Sequence, residues 1–82
     1  MLTGGVMDVE RLKSVFRDAL DLPEDVVWAE LRYSEYPGWT SLGHMSLVAA
    51  IEAEFDIMFD TDDIIDMSSF DKSVELVSKH VD

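Results

Sequence analysis

Trp39–Phe59 reads WTSLGHMSLVAAIEAEFDIMF, and its periodicity decides the fold. Wound at about 100° per residue with Leu42 as origin, it sets Leu47, Val48, Ile51 and Phe55 between roughly 140° and 240°. That stripe is wide enough to face a core. Leu42, Met45 and Ala49 fall on another side, at about 300° to 360°. A surface helix needs one apolar stripe, so this one carries apolar area to spare. Thr40 can cap the helix with its hydroxyl, and Ser41 is the first residue inside. A hydroxyl placed there lies beside free backbone N–H groups and the positive end of the helix dipole, which suit an attached anion. On geometry alone, a plain first-turn serine is the commoner case.

Upstream, Val9, Leu12, Phe16, Ala19 and Leu20 recur at helical spacing, which predicts a first helix over about Asp8–Leu20. Asp8 and Glu10 suit its first turn, and Arg11, Lys13 and Arg17 are expected to face outward. Pro23 stops that pattern and can open a short turn through Glu24–Glu30. Val26, Val27, Trp28, Leu31 and Tyr33 make the connection too apolar for a solvated linker, so it should fold back over the helices. A turn around Pro37-Gly38 then leads into the second helix. Downstream, Thr61–Met67 reads as a short acidic helical turn capped by Thr61, with Ile64, Ile65 and Met67 packing inward. Ser68-Ser69 restarts the chain, and Phe70, Val74, Val77 and Val81 form the stripe of a last helix. The expected fold is all-α: a small bundle of three main helices and one short helix, with a long first connection. Residues 1–6 read as a flexible leader and 7–82 as a single helical domain.

Eighty-two residues allow one core. There is no cysteine, so neither a disulfide nor a thiolate zinc site can staple it, and 48% hydrophobic content must suffice. No apolar run approaches the ~20 residues that span a membrane, and the N-terminus lacks the basic-then-apolar pattern of a secretory signal. A cytoplasmic protein is expected. Eighteen acids against six bases give a net charge of −12, with no Lys or Arg between Tyr33 and Asp71. Such a surface repels nucleic acid and anionic lipid, and attracts a basic patch on another protein.

Catalysis has little support. Ser41 and His44 are three residues apart, but a nucleophile elbow needs glycine on both sides of its serine, and only Gly43 fits. His44 falls at about 200° on the wheel, on the core side, where a packed histidine is the better reading. Asp60, Asp62, Asp63 and Asp66 lack the glycine and glutamate of a calcium loop, leaving only nonspecific cation binding. Trp28 and Trp39 have no cationic groove beside them for stacking bases, and Trp39 reads as an anchor for the turn before the second helix.

With these residues in view, the chain resembles the acyl carrier protein family, the phosphopantetheine-bearing carriers of fatty acid, polyketide and peptide synthesis. The family motif is Asp-Ser-Leu at the start of the second helix, then an apolar stripe ending Glu-x-Glu-Phe-Asp/Gly-Ile. Ser41-Leu42 matches the first part, and Glu52-Ala53-Glu54-Phe55-Asp56-Ile57 the second. Trp39, with Ser41-Leu42-Gly43-His44-Met45, resembles the variant of specialised pathways, and Ser68-Ser69-Phe70 fits the restart. The likeness spans about residues 7–81. It implies a non-enzymatic carrier with 4'-phosphopantetheine on Ser41, holding acyl groups as thioesters. The implied partners are a phosphopantetheinyl transferase and acyl ligases, synthases or acyltransferases with basic docking patches. Leu42, Met45 and Ala49, with Glu52 and Glu54, would meet those partners. A monomer is implied, as is a core that opens slightly around an acyl chain. Thr40 replaces the family's aspartate; it still caps, but removes an acid that would contact the transferase, which implies less efficient modification. Ser46 and Ala53 also stand where many members carry acids. The alternative is an unmodified acidic adaptor of the same fold that binds a basic protein.

Overall fold

The computed structural model describes residues 8–81, and the leader expected over 1–6 lies outside the described residues. Four helices follow one another: α1 is Val9–Leu20, α2 is Ser41–Phe55, α3 is Thr61–Asp66 and α4 is Phe70–Val81. A single 3-10 turn, Trp28–Glu30, interrupts the long connection between α1 and α2. This is the expected all-α bundle.

The helix ends follow local chemistry. Asp8 caps α1 by accepting from Arg11 N at 3.1 Å, and Thr40 caps α2 by accepting from Gly43 N at 3.3 Å. Both helices stop at an aspartate in the left-handed region, Asp21 at φ 54° and Asp56 at φ 55°. That conformation terminates helices, and a short polar side chain tolerates it better than a branched one. α3 begins differently from expectation. Asp60, not Thr61, is the cap: its carboxylate accepts from Asp63 N at 2.9 Å, and the Asp63 carboxylate accepts from Asp60 N at 3.4 Å. A charged carboxylate at a helix N-terminus outcompetes a hydroxyl one residue later.

Packing centres on Phe16. Its ring meets Phe70 at 5.0 Å, Trp39 at 5.4 Å and Trp28 at 6.2 Å between centroids, each edge to face. These four rings join α1, the long connection, the lead into α2, and α4. The connection does fold back, and its backbone is stitched to the start of α4. Tyr33 N donates to Ser68 O at 2.9 Å, and Phe70 N donates to Leu31 O at 3.3 Å.

Several side chains depart from expectation. Val9, Val27 and Ile65 are exposed, because each lies on an outer face or in a loop that the core does not reach. On α4 the buried face is Phe70, Ser73, Leu76 and Val77, while Val74 and Val81 are only half-buried. Ser73 tolerates burial because its hydroxyl donates to Ser69 O at 2.9 Å. Phe55 is likewise half-buried. Arg11 lies 4.7 Å over the Phe55 ring, and Lys13 and Arg17 lie 5.5 and 5.4 Å over Trp28. These cations cover aromatic surface, Arg11 while remaining exposed as expected and Lys13 and Arg17 half-buried.

Asp63 is the largest electrostatic surprise. Read in the sequence as one acid of a short acidic turn, it is only 3% exposed. Lys79 Nζ and His80 Nε2 each lie 2.7 Å from its carboxylate oxygens, so α4 clasps α3 through this one side chain. The Lys79 hydrogen bond, then that of His80, hold the Asp63 carboxyl far below the usual carboxylate range, against the opposing effect of burial. The same contact raises Lys79. A depressed carboxylate contributes stability above its unfolded value of about 3.9 and loses it as pH falls. A raised lysine contributes below about 10.4 and loses it as pH rises. The clasp therefore acts between those limits. Asp63→Asn is expected to be less stable than the parent at pH 6, with a gap that narrows toward pH 3. Urea melts at each pH measure this, and a constant gap would contradict it.

Candidate functional site

Ser41 stands at the first position of α2 with its side chain exposed. Its Oγ lies 3.0 Å from the Tyr33 hydroxyl, with either oxygen able to donate. The rings of Tyr33, His44 and Trp39 cluster beneath that pair, with only His44 and Trp39 stacked. The Tyr33 ring is 4.9 Å from the His44 ring, and the Trp39 ring is 6.0 Å from it. Trp39 is fully buried, which makes it the anchor that the sequence suggested. Its indole Nε1 donates to His44 Nδ1 at 2.9 Å, so that nitrogen is an acceptor and the proton of the ring sits on Nε2. Nε2 in turn donates to the carbonyl of Ile64 at 2.9 Å. His44 is thus a buried tie between the lead into α2 and α3. Both of its nitrogens are spent on structure, and neither reaches Ser41.

Gly43 explains itself in the same region. A Cβ there would meet Gly38 O at 2.9 Å and a Leu20 methyl at 3.3 Å, so the loop could not close on the helix start. The glycine serves backbone approach and not a nucleophile elbow.

The spare apolar side of α2 is free. Leu42 is 79% exposed and Met45 59%, and Ala49 is exposed beside them in the helical repeat. Met58 is exposed as well, at 80%, and so is Ile65, at 72%, against the expectation that it packs inward. The two acids expected to serve partners are already engaged. Glu54 receives the Arg11 guanidinium at 2.9 Å, and Glu52 accepts from Phe59 N at 2.9 Å, bracing the exit of α2.

The chemistry available is narrow. An exposed hydroxyl at a helix start can accept a covalent phosphate-linked group, compensated by the free N–H groups and dipole of the first turn. Ser41 thus fits a phosphodiester anchor. Among the described residues no set of three or more His, Asp or Glu gathers to hold a metal ion, and no helix is long and apolar enough to cross a membrane.

Comparison with known proteins points the same way. No family model matches the chain, and no solved structure matches it. The acyl carrier proteins of Buchnera aphidicola subsp. Acyrthosiphon pisum, strains Tuc7 and APS, are each 26% identical to it over 70 residues. Those matches cover 85% of this chain and 88% of each relative. By that name they are carriers of acyl groups. Four-helix architecture among the described residues, an exposed serine at the start of α2 and near-full-length similarity agree, and the chain is similar, at 26% identity, to acyl carrier proteins.

Proposed function

We propose that residues 7–82 form a single cytoplasmic carrier domain that holds acyl intermediates on a 4'-phosphopantetheine arm attached to Ser41. The observation that carries this reading is the exposure of Ser41 at the first turn of α2. Loading would proceed at a separate transferase. The Ser41 oxygen bonds to the phosphorus that bears the pantetheine, the phosphorus–oxygen bond to the nucleotide half of coenzyme A breaks, and the hydroxyl proton leaves to the transferase. When bound, the arm supplies a terminal thiol that can hold an acyl group as a thioester. Leu42, Met45 and Ala49 offer partner enzymes an apolar contact. Glu52 and Glu54, although engaged internally, keep negative charge beside it to steer basic surfaces. Such charge accelerates encounter more than it prolongs residence, which suits a shuttle.

The test is intact mass before and after incubation with coenzyme A and a broad-specificity transferase. One phosphopantetheine is expected on the parent chain and none on Ser41→Ala. Absence of a gain across several transferases would remove the carrier reading. If the unmodified chain then captures a basic protein, in a manner lost at high salt and indifferent to Ser41→Ala, the acidic adaptor takes its place.

A further inference from the structure

A groove of about 290 Å³ opens beside Ser41, on the side of the long connection. Tyr33, Tyr36, Pro37 and Thr40 wall it, with the buried Trp39 behind and Ser41 at its rim. Leu42 and Met45 do not line it. Resting on the carrier reading, we infer that this groove holds the phosphate-proximal half of the arm, and that Tyr33 is the residue that fixes it there.

The groove is built before anything enters it. Ser34 N donates to Trp39 O at 3.0 Å, Trp39 N to Tyr36 O at 2.9 Å and Tyr36 N to Arg32 O at 3.0 Å. These bonds hold Ser34 at φ 71°, a left-handed conformation that a serine seldom adopts unaided. The Tyr33 amide is bound to Ser68 O, which ties the wall to the start of α4. A wall ordered in advance loses little entropy when a ligand settles on it.

Proton counting assigns the role of Tyr33. In the unmodified chain either hydroxyl of the Tyr33–Ser41 pair can donate. Once the Ser41 oxygen is esterified it has no proton, so Tyr33 must be the donor, to the ester oxygen or to a phosphate oxygen beside it. No lysine or arginine lines the groove to do this instead. Beyond the phosphate the arm presents geminal methyl groups and amides, which match the mixed aromatic, prolyl and hydroxyl lining.

Size and tethering decide how much is held. Cavities for whole ligands run from roughly 300 to 1,000 Å³, so this groove takes part of the arm and leaves the thiol with its cargo outside. A short flexible tether gives an effective concentration of about 1 mM, so weak intrinsic affinity fills the groove appreciably. Because the groove and the exposed side chains of α2 are separate, a parked arm leaves the docking contact clear.

The experiment uses the labelled full chain, loaded with unlabelled arm and verified by mass. Filtered nuclear Overhauser spectra are expected to connect the geminal methyls of the arm with Tyr36 and Pro37, and Tyr36→Ala to abolish those contacts. The ³¹P resonance of the phosphodiester is expected to move in Tyr33→Phe, which keeps the ring against His44 and removes only the donor. Loaded protein lacking these contacts, or showing them to Leu42 and Met45 instead, with a ³¹P line indifferent to Tyr33→Phe, overturns the inference and leaves the carrier reading intact. Failure to load at Ser41 at all overturns the carrier reading itself.

Discussion

Phe16→Ala is expected to lower stability by about 3–5 kcal/mol, the range for truncating a buried aromatic. A domain of this length should be worth roughly 4–12 kcal/mol in all, so the loss removes a large share of the total. The reason lies in the position of the ring. It is fully buried and touches Trp28, Trp39 and Phe70 edge to face, so one truncation opens a void shared by three elements. Edge-to-face pairs add about 0.5–1.5 kcal/mol each beyond area burial, which places this site at the upper end of the range. Val9→Ala on the same helix is the matched control. Val9 is exposed, and its truncation should stay within about 0.5 kcal/mol. Urea melts followed by tryptophan fluorescence compare the two. A Phe16→Ala cost below about 1 kcal/mol would mean that the four-ring cluster is not the keystone of the fold.

What the sequence disclosed and what it withheld divide along a physical line. Periodicity reports which side of a helix is apolar, so Leu47, Val48 and Ile51 were legible as core and Leu42, Met45 and Ala49 as surplus. Capping chemistry is local, so Thr40 was legible as well. Contacts between residues distant in the chain leave no such trace. Nothing about Asp63 in an acidic run distinguishes it from Asp62, until α4 brings Lys79 and His80 against it. Tyr33 is legible only as part of an apolar connection that folds back, and its hydroxyl meets Ser41 in a connection fixed by Arg32–Ser69 pairing. Glu52 and Glu54 read as free docking acids, while partners supplied by Phe59 and Arg11 engage both. For Ser41 itself, the position was readable from the motif and the orientation was not.

His44→Leu carries the second large effect. Leucine roughly preserves volume, so the change isolates hydrogen bonding from cavity formation. It removes the common partner of two groups at once: the Trp39 indole N–H and the Ile64 carbonyl. A buried polar group left without a partner costs about 1–3 kcal/mol, so roughly 2–6 kcal/mol is expected if neither finds water. Glutamine, whose amide offers both an acceptor and a donor, should recover part of that loss. The second readout is local. Because the His44 ring also supports Tyr33, the first turn of α2 should open, and amide exchange at Gly43 and His44 or its substitute should accelerate more than at Val77 in the core. Should His44→Leu prove as stable as the parent, the histidine would be a space-filler that happens to lie near two polar atoms. Should it instead lose stability while glutamine restores it, the tie between α3 and the serine-bearing turn is held by that one imidazole, and anything that shifts α3 would be felt at Ser41.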